Sequence, residues 1–149
     1  MIQSGKIDSY MDIKKTANLF INFTIKRIVE IFGITIFVAG LLFIVSLISY
    51  SPEDPNFVFP DNTKINNILG FQGSFISDLF FQSIGLISYL FSLTLIITGI
   101  NIFISKDFFL IIENLFFAII YSLFGSFFLE YFYSNSFTLY INGNGGFIG

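Results

Sequence analysis

The chain has 149 residues with a net charge of −3, and 54% of them are hydrophobic while only 11% are charged, against roughly 25% charged residues in soluble domains. So few charges cannot cover a globular domain in water, and we predict an all-α fold, a transmembrane helical bundle. Because Cys and His are absent, disulfides, the usual zinc and haem sites and thiol or imidazole catalysis are excluded, and we predict no catalytic residue, metal or cofactor.

Residues 1–27 are polar and basic. They hold five of the seven basic residues of the chain, namely Lys6, Lys14, Lys15, Lys26 and Arg27. Apolar residues recur at helical spacing toward the end of this segment, which predicts a short interfacial helix against anionic lipid headgroups. Since Lys and Arg remain on the cytoplasmic side of a membrane, we expect the amino terminus in the cytoplasm.

Residues 28–50 form an apolar run whose only charge is Glu30, and at about 34 Å it is long enough to be the first spanning helix. All three prolines follow it, which predicts a periplasmic loop over residues 51–78. A charge-free run over residues 79–104 is predicted to be the second spanning helix.

The turn at residues 105–107 contains Lys106 and is too short to cross a membrane. A third spanning helix is predicted over residues 108–129, antiparallel to the second, and a Gly-rich periplasmic tail over residues 130–149. The predicted architecture is therefore three spanning helices with an amino-terminal interfacial segment.

Small residues recur along these three helices. In lipid, small side chains allow helix backbones to approach closely, and Ser hydroxyls add hydrogen bonds between helices. We therefore predict that the following positions pack helix against helix: Gly33 and Gly40 in the first, Gly85, Ser92 and Gly99 in the second, and Ala118, Ser122 and Gly125 in the third.

Two carboxylates, Asp78 and Glu113, raise an alternative function. A carboxylate inside a membrane is costly, and many such groups belong to proton or ion paths. The alternative is therefore a small ion or proton transporter or channel subunit that uses Glu113 and Asp78. A relay requires carboxylates that face a wet interior at mid-bilayer, whereas an anchor carries them only near its helix ends, where the helix dipole also stabilises them.

Three sequence elements carry a resemblance to a known family. Residues 49–57 read SYSPEDPNF, residues 67–85 contain NILG followed by Gly73, Asp78 and Gly85, and residues 143–149 read GNGGFIG. In this order they resemble the membrane region of the FtsK/SpoIIIE family of bacterial DNA translocases, where the third element precedes a fourth helix. The matching residues are Ser49, Pro52, Asp54, Pro55, Gly70, Gly73, Asp78, Gly85, Gly145, Gly146 and Gly149.

The resemblance implies a function that composition does not reveal. Family members join a four-helix membrane domain, through a linker, to a RecA-like motor that uses ATP to move double-stranded DNA through the closing septum. This chain is then expected to be the membrane anchor, truncated before the fourth helix, in the bacterial inner membrane at the division septum.

Septum proteins, membrane lipids and further copies of the chain are the partners that the resemblance implies. DNA and ATP would be bound only by the motor, which this chain lacks, so the chain is not expected to be an enzyme. A stand-alone division adaptor derived from the anchor is a third interpretation, which differs from the first only in what lies downstream.

Overall fold

The computed structural model describes residues 2–55, 64–134 and 143–149, with side chains from residue 14 onward. These ranges contain no strand, and three stretches are long and apolar enough to cross a membrane, namely Lys14–Ile48, Gly70–Ser105 and Leu110–Tyr133. The all-α fold with three potential spans is therefore confirmed. The helices are α1 (Ile2–Ile48), α2 (Gly70–Ile84), α3 (Ser88–Ser105) and α4 (Leu110–Tyr133), with 3₁₀ turns at Gly85–Ile87 and Gly146–Ile148.

Helix α1 is longer than predicted. It runs through 47 residues, about 70 Å, and so joins the expected interfacial segment and the first spanning helix into one element. No proline interrupts it. Every side chain from Lys14 to Ile28 is exposed, and Val29 is the first buried residue among the described side chains of α1. The amino-terminal part of α1 therefore projects beyond the bundle, and its contact with a lipid surface stays a prediction.

The bundle is built on the antiparallel pair α1 and α3. Gly33 faces Gly99, so that a Cβ on Gly99 would lie 2.7 Å from the carbonyl oxygen of Gly33. About two turns further along α1, a Cβ on Gly40 would lie 2.9 Å from the backbone nitrogen of Ile96. The two backbones are therefore in direct contact, which is possible only because side chains are missing at these points.

Helices α3 and α4 form the predicted antiparallel hairpin. Lys106 ends α3 in the left-handed conformation (φ 59°), and its backbone N–H donates to the carbonyl of Ile102 over 2.8 Å. The side chain of Asp107 then accepts the N–H of Phe109 over 2.9 Å, just before α4 begins at Leu110. The chain thus reverses within a few residues, and we call this region the turn end of the bundle.

The second predicted spanning helix, residues 79–104, is interrupted. α2 begins at Gly70, inside the predicted loop 51–78, and ends where Gly85 adopts a φ of +60°. Glycine tolerates this conformation because it has no Cβ. After the 3₁₀ turn, α3 alone continues for 18 residues, about 27 Å. Gly85 therefore does not lie in the same helix as Ser92 and Gly99, and that part of the prediction is wrong.

Helix α2 lies across the end of the bundle. Near its start, the carbonyl of Gly73 accepts a hydrogen bond from the Ser46 hydroxyl of α1 over 2.6 Å. At its end, the carbonyl of Ile84 accepts one from the Ser126 hydroxyl of α4 over 3.1 Å. Between them, Phe81 is fully buried in a cluster with Phe43 and Leu47. α2 therefore bridges α1 and α4.

Candidate functional site

The end of the bundle opposite the turn end is closed by a folded cap. We define the cap as residues 49–55, 64–87 and 143–149, which comprise the chain after α1, the helix α2 with its 3₁₀ turn, and the Gly-rich tail. All eleven residues of the three sequence elements lie in it. The structure thus brings together elements that are far apart in the sequence, and the cap is the candidate functional site.

Asp54 closes the first loop of the cap. Its backbone N–H donates to the carbonyl of Ser51 over 3.2 Å in a turn that contains Pro52, a residue that pre-sets the φ angle such a turn needs. The Asp54 side chain is 5% exposed, and its two oxygens accept the backbone N–H groups of Asn66 and Asn67, each over 2.8 Å. Both carboxylate oxygens are satisfied, as a buried charge requires.

The sequence did not indicate this role for Asp54. The predicted loop over residues 51–78 and the family motif place Asp54 after the first helix but do not indicate which groups it contacts. Glu53 is exposed, but Asp54 is buried, and so is Pro55. The carboxylate of Asp54 joins backbone positions that are 12 and 13 residues away, and no local pattern announces such a contact.

Asn67 ties the same loop to the end of α1. Its side-chain amide donates to the carbonyl of Ser46 over 3.0 Å, and its side-chain oxygen accepts the N–H of Leu69 over 3.0 Å. Gly73 packs directly against this amide, since a Cβ on Gly73 would overlap the side-chain oxygen of Asn67. The start of α2 is therefore fitted onto Asn67, and a side chain at position 73 would disrupt it.

Two further motif residues join the loop and α2 to α1. The hydroxyl of Ser49 accepts the backbone N–H of Ile68 over 3.3 Å. Asp78, half-buried on α2, accepts hydrogen bonds from the Tyr50 hydroxyl over 2.9 Å and from the side-chain amide of Gln82 over 2.7 Å. The Asp78 carboxylate therefore has polar partners within the cap.

The tail meets the break between α2 and α3. The backbone N–H of Leu86 donates to the carbonyl of Asn144 over 3.0 Å. Gly146 has a φ of +64°, and a Cβ on it would lie 2.6 Å from the backbone nitrogen of Gly85. The two glycines thus lie backbone against backbone, which explains why both positions lack a side chain.

The other two motif glycines of the tail pack on α4. A Cβ on Gly149 would lie 2.6 Å from the carbonyl oxygen of Ser126, and one on Gly145 would overlap the same oxygen. The N–H of Gly145 also points to the carboxylate of Glu130, at 3.4 Å. The tail is therefore wedged between α2 and α4, and it completes the cap.

The remaining predicted packing residues lie within the bundle. Ser92 on α3 is buried and bonds the carbonyl of Tyr89 in its own helix over 2.8 Å. On α4, Ala118 and Ser122 are buried, and a Cβ on Gly125 would lie 2.6 Å from the side chain of Ile87. Gly33, Gly40 and Gly99 form the contact between α1 and α3 described above.

The charged residues mark the turn end. Glu30 of α1 pairs with Arg27 of the same helix and, over 2.8 Å, with the ammonium group of Lys106 after α3. Arg27 and Glu30 are three residues apart, a spacing that brings side chains together on a helix, whereas Lys106 is too distant in the sequence for the contact to be recognised. Glu113 is exposed in the first turn of α4, and Asp78 lies in the cap, so the two carboxylates of the alternative function lie at opposite ends.

Among the described residues, no group of three or more His, Cys, Asp or Glu comes together to hold a metal ion. The chemistry of the cap is instead that of backbone amides and carbonyls satisfied by Asp, Asn and Ser side chains. Such an arrangement holds the three segments of the cap in one shape.

Comparisons with known proteins agree with the sequence elements. The family model for the 4TM region of DNA translocase FtsK/SpoIIIE matches residues 25–149. The DNA translocase FtsK of Azospirillum brasilense is 33% identical over 87 residues, which cover 57% of this chain and 14% of that protein.

Two Rickettsia proteins are similar over shorter stretches. DNA translocase FtsK of Rickettsia prowazekii (strain Madrid E) is 30% identical over 69 residues, 46% of this chain and 9% of that protein. Its counterpart in Rickettsia bellii (strain RML369-C) is 36% identical over 64 residues, 43% of this chain and 8% of that protein. No solved structure gives a significant match.

The matched stretches thus span only a small fraction of these relatives. Within the chain itself, the family model extends from residue 25, just before the basic residues Lys26 and Arg27 of α1, to the end of the cap. The family model covers most of the chain. The chain therefore belongs to the FtsK/SpoIIIE family, and it corresponds to the multi-pass region of that family in the bacterial inner membrane.

Proposed function

We propose that this chain is the membrane anchor of an FtsK-type DNA translocase and acts at the division septum in chromosome segregation and cell division. The observation that carries the proposal is the match of the 4TM family model to residues 25–149, together with the folding of all eleven motif residues into one cap. The relatives are named DNA translocases, which supports the same assignment.

We assign DNA and ATP to a motor outside this chain. The phosphate-binding pattern G-x-x-x-x-G-K-[ST] does not occur in the sequence, and that pattern is what supplies backbone amides, an ammonium group and a hydroxyl to a nucleotide. In the proposed function this chain hydrolyses no ATP. It binds membrane lipids, septum proteins through its cap, and further copies of itself.

We further propose that the turn end faces the cytoplasm and the cap faces the periplasm. Four exposed basic residues of α1 precede the buried part of the helix, and Lys106 lies at the same end of the bundle. The cap exposes one basic residue, Lys64, beside the acidic residue Glu53. Lys and Arg are retained on the cytoplasmic side, so the larger number of basic residues at the turn end supports this orientation.

The transporter alternative receives no support from the arrangement of its carboxylates. Asp78 is engaged by Tyr50 and Gln82 in the cap, while Glu113 is exposed near the turn end. A proton or ion path would need groups that succeed one another across the bilayer.

The experiment is to follow the chain in dividing cells of a related bacterium. A fluorescent protein that matures only in the cytoplasm is fused to the amino terminus, so that fluorescence itself reports the orientation. We expect a fluorescent band at the septum that exceeds the signal of an unrelated multi-pass protein. Uniform peripheral fluorescence from stable, membrane-inserted protein would contradict the septal function.

A matched pair of variants tests whether the cap carries the recruitment. Asp54→Asn replaces one accepting oxygen by an NH₂ group that faces a backbone N–H, which leaves buried donors unsatisfied and opens the loop. Glu53→Gln makes the same change of charge at an exposed neighbour. We expect septal enrichment to fall several-fold in Asp54→Asn and to persist in Glu53→Gln, with equal membrane insertion. Equal enrichment in both would exclude the cap as the recruiting surface.

A further inference from the structure

We propose that α2 is an interfacial helix, which lies flat in the boundary between lipid headgroups and acyl chains at the cap end of the bundle. Its apolar run continues into that of α3, so the sequence suggests one long span. The geometry points instead to two roles, with α3 crossing the membrane and α2 resting in the glycerol and upper acyl region of the nearer leaflet.

The two ends of α2 lie at the same height along the bundle. The carbonyl of Gly73 accepts a hydrogen bond from the hydroxyl of Ser46, which is next to Leu47 in α1. At the same height α3 begins, since the Tyr89 hydroxyl donates to the carbonyl of Leu47 over 3.3 Å. At the other end of α2, the carbonyl of Ile84 accepts a hydrogen bond from the hydroxyl of Ser126 in α4. The height of Ser126 along the bundle therefore decides whether α2 lies perpendicular to the bundle axis.

The register of α4 against α3 gives that height. The hydroxyls of Thr94 and Tyr121 are hydrogen-bonded over 2.7 Å, and the Asn114 amide donates to Thr98 over 2.9 Å. In this antiparallel register, Ser126 falls opposite the first turn of α3, level with Leu47. From Gly73 to Ile84 the helix is about 16 Å long, and its two ends nevertheless lie at one height.

The height itself corresponds to the membrane interface. The charges of Arg27, Glu30 and Lys106 mark where the turn end leaves the hydrocarbon, because such groups avoid the bilayer core. From Glu30 to Leu47 the α1 helix rises about 26 Å, against a hydrocarbon thickness of about 30 Å. α2 therefore lies a few ångströms inside the opposite boundary of the hydrocarbon.

The side chains of α2 agree with this depth. Phe80 points toward the bilayer core, where it packs on Phe43 with ring centroids 4.5 Å apart, while Asp78 bonds Tyr50 on the loop side. Ile76 and Leu79 are 41% and 52% exposed, and they are the apolar side chains that would enter the lipid. α2 contains no basic residue, so lipid contact rather than headgroup charge would hold it.

Spin labels can measure this directly. The chain lacks Cys, so single Cys variants carry one nitroxide each in vesicles of phosphatidylethanolamine and phosphatidylglycerol. One set follows the outward face of α2, at Gln72, Ile76, Leu79 and Ser83. The control set repeats the same spacing on α3, at the exposed positions Leu93, Ile97, Ile100 and Ile104. Depth is read from relaxation by oxygen and by a water-soluble nickel chelate.

We expect the four α2 labels to share one interfacial depth, to within about 3 Å, while the α3 set spreads over about 16 Å. A depth gradient along α2 like that of α3 would overturn the proposal in favour of one continuous span. Full exposure of all four α2 labels to the chelate, with little to oxygen, would equally overturn it, because α2 would then lie outside the lipid. Neither outcome depends on septal localisation, which is tested separately.

Discussion

Helix α3 packs against α1 on one side and against α4 on the other, and the two interfaces are made differently. Toward α1 the contact is between backbones, at Gly33, Gly40 and Gly99. Toward α4 it relies on polar side chains, in the pairs Thr94 with Tyr121 and Thr98 with Asn114. A glycine contact tolerates no added atom, whereas a hydrogen bond between side chains can be replaced by an apolar pair of similar shape.

The difference indicates which interface holds the bundle in register. In lipid, helices gain nothing from hiding apolar surface, so close packing and hydrogen bonds decide their association. Close packing of α1 on α3 extends from the contact of Gly33 with Gly99 to the contact of Leu47 with Tyr89. In contrast, α4 exposes large apolar side chains along most of its length. We therefore expect α1 and α3 to form the rigid unit and α4 to be the more replaceable helix.

The largest expected effect comes from filling the glycine contact. Gly99→Leu would push side-chain atoms into the backbone of Phe37 and Gly33, and overpacking of this kind costs about 1 to 3 kcal/mol or more. We expect the midpoint of unfolding in mixed micelles, followed by circular dichroism, to fall clearly.

The control for this change is Ile97→Leu, two residues away on the exposed face of α3. It should leave the unfolding midpoint within error of the parent protein. If Gly99→Leu were as stable as Ile97→Leu, backbone contact would not hold the two helices together, and the comparison of the interfaces would fail.

A smaller effect is expected at the polar interface. Thr98→Val and Asn114→Leu each remove one side of a hydrogen bond, and the double variant removes both. A double-mutant cycle on the unfolding free energy should give a coupling of about 0.6 kcal/mol, which is the average for such bonds in membrane helices. A coupling as large as the loss in Gly99→Leu would show that both interfaces hold α3 equally.

The smallest change is expected at the turn end, where an ion pair joins α1 to the hairpin. Lys106 is 40% exposed, so solvent weakens its attraction to Glu30. Glu30→Lys should lower the unfolding midpoint slightly, and the exchange variant that also carries Lys106→Glu should restore part of it. The absence of any recovery in the exchange variant would mean that the pair does not position the hairpin.

The sequence was sufficient for features that depend on local composition. The apolar runs gave three potential spans, and the hairpin followed from the short turn around Lys106. The small residues Gly33, Gly40 and Gly99 pointed to positions where the structure has backbone contact. Each of these inferences uses residues within one element, where hydropathy and side-chain size act directly.

Features set by distant contacts were not predictable in this way. The run from residue 79 to 104 has the pattern of a single helix, because the end of α2, which lies in the cap, is as apolar as α3. Gly85 breaks it where the tail residues Asn144 and Gly146 approach. The buried position of Asp54 likewise depends on backbone amides of Asn66 and Asn67, which only the folded chain brings near.

The contact of Gly146 with Gly85 also fixes an order of events during synthesis. Residues 143–149 leave the ribosome after α1, α3 and α4, so the contacts among these helices are available before the tail can reach α2. The helices would therefore be able to enter the membrane and pair before the tail closes the break at Gly85.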